Sequence, residues 1–348
     1  MVDFSVAIRL YNGALRLPNI LNALKAQVIA DCIEWEVIVI DNNSADAPID
    51  IVRSYQRQWT VCPLRYVLET RQGAAFARRR AIAEAEGTWV GFLDDDNIPD
   101  CHWVQSAFDF GMMHPQAAAF GSQIHPKYEI PPPPNFERIA PFIPIVERNE
   151  AVCFTSGWRS MSNLVPPGAG LVILRRAWIA HVPATLTLQG PVGDSLNFKG
   201  EDVEALLYLK QAGWDIWFNP QMHIEHQVPA WRFERSYLLQ FFHGIGLSKY
   251  VTRMVGISLW QRPFWILLFM GNDGRKLLLH VIKHYRHMRQ DVVSAAEFQL
   301  LLSSLLSPFY GLKQRLLRLS GQMSSGSDSK TDSELGKKTA HAHGSNLS

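Results

Sequence analysis

At 348 residues, the chain is long enough to bury a large core, as one big domain with appendages or two modest ones. Apolar residues make up 47% and charged residues 19%, which excludes a disordered chain and gives a globular protein with a somewhat greasy surface. A formal charge of +2 excludes a dedicated nucleic-acid binder, whose affinity would rest on many phosphate-neutralising lysines and arginines.

The first third alternates strand and helix patterns. Residues 4–10 (FSVAIRL) read as a strand, and residues 15–28 carry Leu15, Ile20, Leu21, Leu24 and Val28 at helical spacing. Residues 36–40 (EVIVI) form a short apolar run, as expected for a strand buried on both faces, and stop at Asp41, Asn42, Asn43 and Ser44. A helix over 49–59, a strand over 64–68, a helix over 74–85 and a strand over 88–93 follow. This alternation predicts an α/β fold with a mostly parallel sheet covered by helices. Ligands of such sheets lie beyond the carboxyl ends of the strands. Tyr11 and Asn12, the Asp41 cluster, and Asp94, Asp95, Asp96 and Asn97 all fall at such ends.

Residues 126–146 are proline-rich, with Pro131 to Pro134 consecutive, and read as an extended surface loop. Strand and helix patterns return over 166–226. Beyond Trp231 the chain becomes helical and basic, and from Ser320 its polar composition predicts a disordered tail. The expected organisation is a catalytic domain over 1–230, with a nucleotide-binding half (1–100) and an acceptor half (101–230), then a helical region over 231–319 and a tail over 320–348. Cys32, Cys62, Cys101 and Cys153 lie far apart without C-x-x-C spacing, so neither structural zinc nor a disulfide framework is expected. Met1 to Phe4 lead straight into strand pattern without the features of a signal peptide, so the expected location is cytoplasmic.

Three acids in succession after a buried strand raise one another's energy unless a cation or hydrogen-bond donors compensate. Mg²⁺ and Mn²⁺ prefer oxygen ligands and take one or two carboxylates, with phosphate and water completing the shell. Side chains alternate along an extended segment, so Asp94 and Asp96 are expected to face one side and Asp95 the other. The competing reading is a solvated turn whose acids cap a helix starting near Asp100.

VIVIDNNSAD (37–46), GAAFARRRAI (73–82), GFLDDDN (91–97) and the later GED (200–202), in that order, resemble the family 2 glycosyltransferases of the GT-A fold. The match covers residues 4–226, with a finer and weaker likeness to exopolysaccharide and hormogonium polysaccharide glycosyltransferases. The resemblance implies a Rossmann-like GT-A sheet and a nucleotide-sugar donor. It implies that Asp41 reads the nucleobase, usually uracil, that Tyr11 and Asn12 line the same base, and that Arg78 faces the nucleotide. It further implies that Asp94, followed by Asp95, lies near the ribose and that Asp96 holds Mn²⁺ or Mg²⁺. Arg79, Arg80 and Ala81 depart from the family's A-R-N-x-G pattern and leave open which arginine meets phosphate; for Arg79 and Arg80 an ordinary basic helix face is the preferred reading.

By the same resemblance, Asp202 of Gly200-Glu201-Asp202 is the base that accepts the acceptor hydroxyl's proton, with Glu201 orienting the acceptor; N-terminal helix capping is the plainer alternative. Gly168 and Gly170 resemble the glycine segment that approaches the donor sugar, and only a close backbone approach would favour that over a simple turn. His226 is in register with a histidine that meets metal or diphosphate, whereas His223 and Glu225 alternate to other positions. The implied reaction is an inverting single displacement onto a glycan or lipid-linked hydroxyl.

Residues 273–289 place Leu277, Leu278, Val281, Ile282, Tyr285 and Met288 on one helical face, with basic residues elsewhere. Such a helix packs on a core or lies on an anionic membrane, so peripheral contact at the inner face of the plasma membrane is an expectation. The apolar runs 263–272 and 298–312 are read as too short or too interrupted to span. Absence of Q-x-x-R-W predicts a non-processive enzyme. The rivals are a haloacid dehalogenase-like phosphotransferase, a sugar nucleotidyltransferase, and a non-catalytic carbohydrate-binding protein using the 11 tryptophans.

Overall fold

A computed structural model describes residues 2–30, 32–155, 163–191, 199–286, 288 and 290–312. The strands are β1 (Phe4–Leu10), β2 (Trp35–Asp41), β3 (Leu64–Leu68), β4 (Trp89–Asp94), β5 (Asn97–Pro99), β6 (Ala117–Tyr128), β7 (Val152–Cys153), β8 (Val172–Leu174) and β9 (Asp215–Val228). They form one sheet of order β3-β2-β1-β4-β8-β6-β9-β5, with β7 beside β9. The β3-β2-β1-β4 half is parallel, β8 runs antiparallel to both β4 and β6, and β6 and β9 are again parallel. The sheet is therefore mixed and mostly parallel, as the alternating pattern predicts.

Every residue of β2 is buried, which is why WEVIVID reads as a continuous apolar run. Glu36, one of its two buried acids, accepts from Ser5 Oγ (2.7 Å), the Glu86 backbone N–H (2.8 Å) and Arg65 (2.7 Å). Helices α1 (Leu17–Lys25), α2 (Pro48–Gln56), α3 (Ala74–Glu84) and α4 (Trp103–Met113) cover the sheet, and α5 (Arg175–His181) and α6 (Glu201–Gln211) follow β8. The predicted elements recur with ends displaced by a few residues; Val28 in particular lies beyond α1 and is exposed.

The chain leaves β1 for β2 on one side and returns to β4 on the other, so the carboxyl ends of β1 and β4 flank the point where strand order reverses. Such a switch point opens a crevice. Arg9 to Tyr11 and Asp94 to Asp96 stand on its two sides.

The proline-rich segment differs from the expected plain surface loop. β6 runs through to Tyr128, and short 3-10 turns form at Phe136–Arg138 and Ala140–Phe142. Phe136 and Ile139 are buried in a second apolar core with Val228, Phe233, Leu238, Phe242 and Leu300. Apolar side chains spaced between the prolines supply the burial that composition alone conceals. The remaining helices are α7 (Arg235–Met254), α8 (Arg262–His284) and α9 (Val292–Leu312). The amphipathic pattern from 273 is the second half of α8, which also absorbs the apolar run 263–272. Among the described residues, α9 alone is long and apolar enough to cross a membrane by length and composition, with 44% of its apolar window buried. It packs against α7, where a Cβ on Gly246 would meet Ser303 at 2.5 Å. The expected tail from Ser320 lies outside the described residues.

Candidate active site

A cavity of about 970 Å³ opens at the switch point, and its wall gathers Arg9, Tyr11, Arg78, Asp94, Asp95, Asp96, Gly168, Glu201, Asp202 and His226. Thus the strand-end acids, the glycine segment and the GED motif converge from positions more than a hundred residues apart. The acids lie between β4 and β5, not at the N-terminus of α4, so the capping reading for them does not hold.

Each acid of the triplet has its own arginine. Asp94 is paired with Arg9, Asp95 with Arg16, and Asp96 with Arg232. Asp94 and Asp96 do not simply face one side with Asp95 opposite, because the chain turns here instead of remaining extended: all three line the cavity. Burial works against the Asp96 charge, yet His226 and Arg232 hold its carboxyl well below the usual carboxylate range. Burial and the adjacent Asp96 push the Asp95 carboxyl upward.

Asp96 and His226 are both buried, and Asp96 Oδ1 lies 3.4 Å from His226 Nδ1. Asn97 Nδ2 donates to Asp96 Oδ1 at 2.8 Å. The Arg232 guanidinium reaches Asp96 Oδ2 at 2.5 Å and His226 Nε2 at 3.0 Å, so a cation already sits where both groups point. One carboxylate and one imidazole, with room for phosphate and water, is a donor set that fits Mn²⁺ or Mg²⁺. His223 is turned elsewhere, 2.9 Å from His125 Nε2 and stacked on that ring.

Arg78 is 1% exposed, its guanidinium carbon lies 4.5 Å from the centre of the Phe92 ring, and none of its three nitrogens has a hydrogen-bond partner among the described residues. Burial, and next Arg9, pull the guanidinium down to about 10, which leaves it charged at neutral pH. A buried cation with unused donors facing a cavity is costly unless an anion completes it. Arg79 and Arg80 are exposed and bind elsewhere: Arg79 donates to the Ala184 carbonyl and Arg80 pairs with Glu84.

Gly200, at φ +99°, starts α6 and delivers Glu201 and Asp202 in its first turn. Asp202 Oδ1 accepts from the adjacent Val203 N–H (2.9 Å). Glu201 is buried beside Arg9 (3.5 Å) and Arg78 (3.8 Å), and burial together with Asp202 raises its carboxyl. A Cβ on Gly168 would stand 2.5 Å from Asp202 Oδ2 and 2.7 Å from an Arg78 nitrogen, so the backbone here passes as close as only glycine permits. Gly170, at φ +62°, is hemmed in by Ser122 and Ile224 instead.

Asn12 and Asp41 do not line this cavity. Asp41 is buried and accepts from Tyr66 Oη (2.5 Å) and the Ser44 N–H (2.9 Å); Asn12 accepts from the Ala45 N–H (2.9 Å). Both brace the loop after β2, and Asn42 is the member of that cluster that borders the cavity. Sequence reasoning missed Arg9, Lys199, Arg232 and Tyr237, all on the cavity wall. Arg9 carried a signal, being a charge inside an otherwise apolar strand. Lys199 directly precedes the GED motif; burial, and next Arg232, pull its ammonium down to about 8. Arg232 and Tyr237 lie beyond the expected domain boundary, where no motif marks them.

Residues 5–170 match Glycosyl transferase family 2. The chain is 31% identical over 101 residues to Glycosyltransferase AglE of Haloferax volcanii, covering 29% of this chain and 33% of that one. It is 34% identical over 99 residues to Amylovoran biosynthesis glycosyltransferase AmsB of Erwinia amylovora, covering 28% and 31%. The matched segments thus span about a third of those relatives' own length. Among solved structures, mannosyltransferase PcManGT from Pyrobaculum calidifontis, in complex with GDP-Man and Mn²⁺, superposes with a TM-score of 0.51 at 15% identity over 93% of this chain and 79% of that one. That likeness is one of fold; in sequence the chain resembles glycosyl transferase family 2 over residues 5–170, just under half of its length.

Proposed function

We propose that the chain is an inverting, non-processive glycosyltransferase that moves a sugar from a nucleoside diphosphate sugar, with uridine as the base, to a hydroxyl of a glycan or lipid-linked acceptor in polysaccharide biosynthesis. The observation that carries this reading is one cavity in which Asp94 to Asp96, Arg78, Gly168 and Asp202 meet. Asp202 accepts the proton of the attacking hydroxyl, and Glu201 orients the acceptor. The unsatisfied donors of Arg78 face the diphosphate, and Gly168 lets the donor sugar lie close to Asp202. A divalent ion bound by Asp96 and His226 would neutralise the charge that grows on the leaving diphosphate. The acceptor oxygen attacks the anomeric carbon opposite that leaving group, without a covalent enzyme intermediate. The uridine preference rests on the family resemblance around Asp41, and GDP is its natural competitor because PcManGT is in complex with GDP-Man.

Calorimetric titration with UDP and with GDP, each with and without Mn²⁺, tests the reading. Metal-dependent UDP binding that disappears in Asp96→Ala supports it, and a screen of UDP-sugars and GDP-sugars for hydrolysis then identifies the sugar. Binding of free glycan with no nucleotide binding would make the chain a lectin instead.

The acceptor's location is part of the proposal. Trp260, Phe264, Leu267, Leu268, Leu278 and Ile282, on α8 and the turn before it, are exposed, and Arg275, Lys276 and Lys283 are exposed beside them. An apolar surface flanked by cations suits an anionic bilayer, where the helix would lie in the headgroup plane at the cytoplasmic face. Full-length protein should float with anionic liposomes at low salt and less so with neutral ones; failure to float with either overturns membrane docking.

A further inference from the structure

The notch between Asp96 and His226 holds a guanidinium. Arg232 donates to Asp96 Oδ2 (2.5 Å) and to His226 Nε2 (3.0 Å). Arginine is a donor only, so the Arg232 contact uses the Nε2 lone pair in the tautomer that carries its proton on Nδ1, beside Asp96 Oδ1 (3.4 Å) and Asn97 Nδ2 (3.0 Å), and that Nε2 lone pair is one that could ligate a metal. The same guanidinium also holds Asp96 Oδ2. The two groups most suited to a divalent ion are thus both engaged by one side chain of the chain itself.

That side chain is incompletely satisfied. Its Nε is buried without a hydrogen-bond partner among the described residues, although the guanidinium carbon lies 5.4 Å from the centre of the Trp231 ring. Arg232 sits in the single 3-10 turn Ala230–Phe233 between β9 and α7, six residues beyond His226. Its chain path is separate from the strand that fixes His226, so the guanidinium can leave without moving the histidine backbone.

We propose that Arg232 is the resident counter-cation of this notch and that a divalent ion binds by displacing it, which makes metal occupancy dependent on the nucleotide. The inference rests on the metal-dependent reading given above. His226 Nε2 has a single lone pair, so an ion that takes it must compete with the arginine. Without a diphosphate, the displaced guanidinium loses its anion. With one, phosphate oxygens serve both the ion and the guanidinium, and the exchange becomes favourable. By linkage, nucleotide then tightens metal binding by the factor by which metal tightens nucleotide binding. Arg232 acts here as a positioning residue that keeps Asp96 and His226 in place when no ion is bound.

The test is a titration of full-length protein with Mn²⁺, read from the electron paramagnetic resonance signal of the free ion, with and without UDP. Wild type should bind Mn²⁺ weakly alone and at least about tenfold more tightly with UDP, a coupling of the size common between linked sites. Arg232→Gln should bind Mn²⁺ alone at least about tenfold more tightly than wild type, and the gain from UDP should shrink. If Arg232→Gln binds Mn²⁺ alone no more tightly than wild type, the inference is overturned. Should that variant not fold, Arg232→Lys carries the test. One ammonium cannot bridge both acceptors as the planar fork does, so Mn²⁺ alone should bind more tightly than to wild type, and unchanged affinity would overturn the inference. If wild type holds Mn²⁺ through Asp96 while the Arg232 variants change nothing, only this inference falls. If no protein binds Mn²⁺ even with UDP, the metal-dependent reading falls and takes the inference with it.

Discussion

The two walls of the cavity are assembled by different means. On the rim formed by β1, β2 and β4, each polar group ends a buried strand, so a few consecutive residues decide both the strand and what it delivers. On the opposite wall, Gly168, Glu201, His226 and Arg232 arrive from the approach to β8, the start of α6, the end of β9 and the turn after it. Their meeting depends on packing across the sheet. The rim is a local product of sequence and the opposite wall a tertiary one, so substitutions on the two should fail differently: rim changes in nucleotide binding, changes at Gly168 and the Glu201–Asp202 pair in turnover.

The largest expected effect breaks that comparison most directly. Asp202→Asn should lower kcat by about 10²- to 10⁴-fold while leaving the calorimetric affinity for UDP and Mn²⁺ close to wild type. Equal losses in both would show that the two walls are not separable. Next comes Gly168→Ala, whose methyl would press on Asp202 and Arg78 together. Displacement of either by about 1 Å should cost on the order of 10²-fold in kcat, with an unchanged circular dichroism spectrum.

Arg78→Met, on α3, sharpens the nucleotide side of the comparison. It should weaken nucleotide binding by about tenfold, the loss of hydrogen bonds to a charged group. Thermal unfolding should nevertheless occur at the same temperature or higher, because the wild-type guanidinium is buried with its donors unused. A fall in both affinity and stability would mean that Arg78 braces the fold.

The smallest effect concerns Lys199, whose ammonium is pulled down to about 8 by burial first and Arg232 second. Unfolded lysine keeps its proton to about 10.4, so between about pH 8 and 10 the unfolded chain binds more protons than the folded one at this site. Folding stability should therefore rise with pH across that window through this group. The slope difference between wild type and Lys199→Met, from denaturant titrations at several pH values, should be positive. A zero or negative difference would remove Lys199 from the electrostatics of the opposite wall.

What could be read in advance follows the same division. The order of strands and helices through β4 was legible because period-two and period-3.6 patterns are local; the DDD segment announced itself by charge after an apolar run, and GED by the family resemblance. Arg9 was visible but passed over, since a cation inside a strand reads as noise until its partners Asp94 and Glu201 are known. Arg232 was not legible: it belongs to no motif read in the sequence, and its role comes from Asp96, 136 positions away. Asp41 shows the reverse case. Its place at a strand end suggested a wall of the cavity; it lies off that lining, and each of its oxygens accepts one hydrogen bond, from Tyr66 on the neighbouring strand and from the Ser44 N–H.

Helix α8 buries only one side chain, Asp273, which Arg253 of α7 grips with both guanidinium nitrogens at 2.5 and 3.0 Å. A charged clasp holds this helix to the body while much of its oily surface is left outside. In plain buffer, purified protein should clump or coat vessel walls unless a mild surfactant masks that surface. Particle sizes measured without one would then describe the solvent more than the molecule.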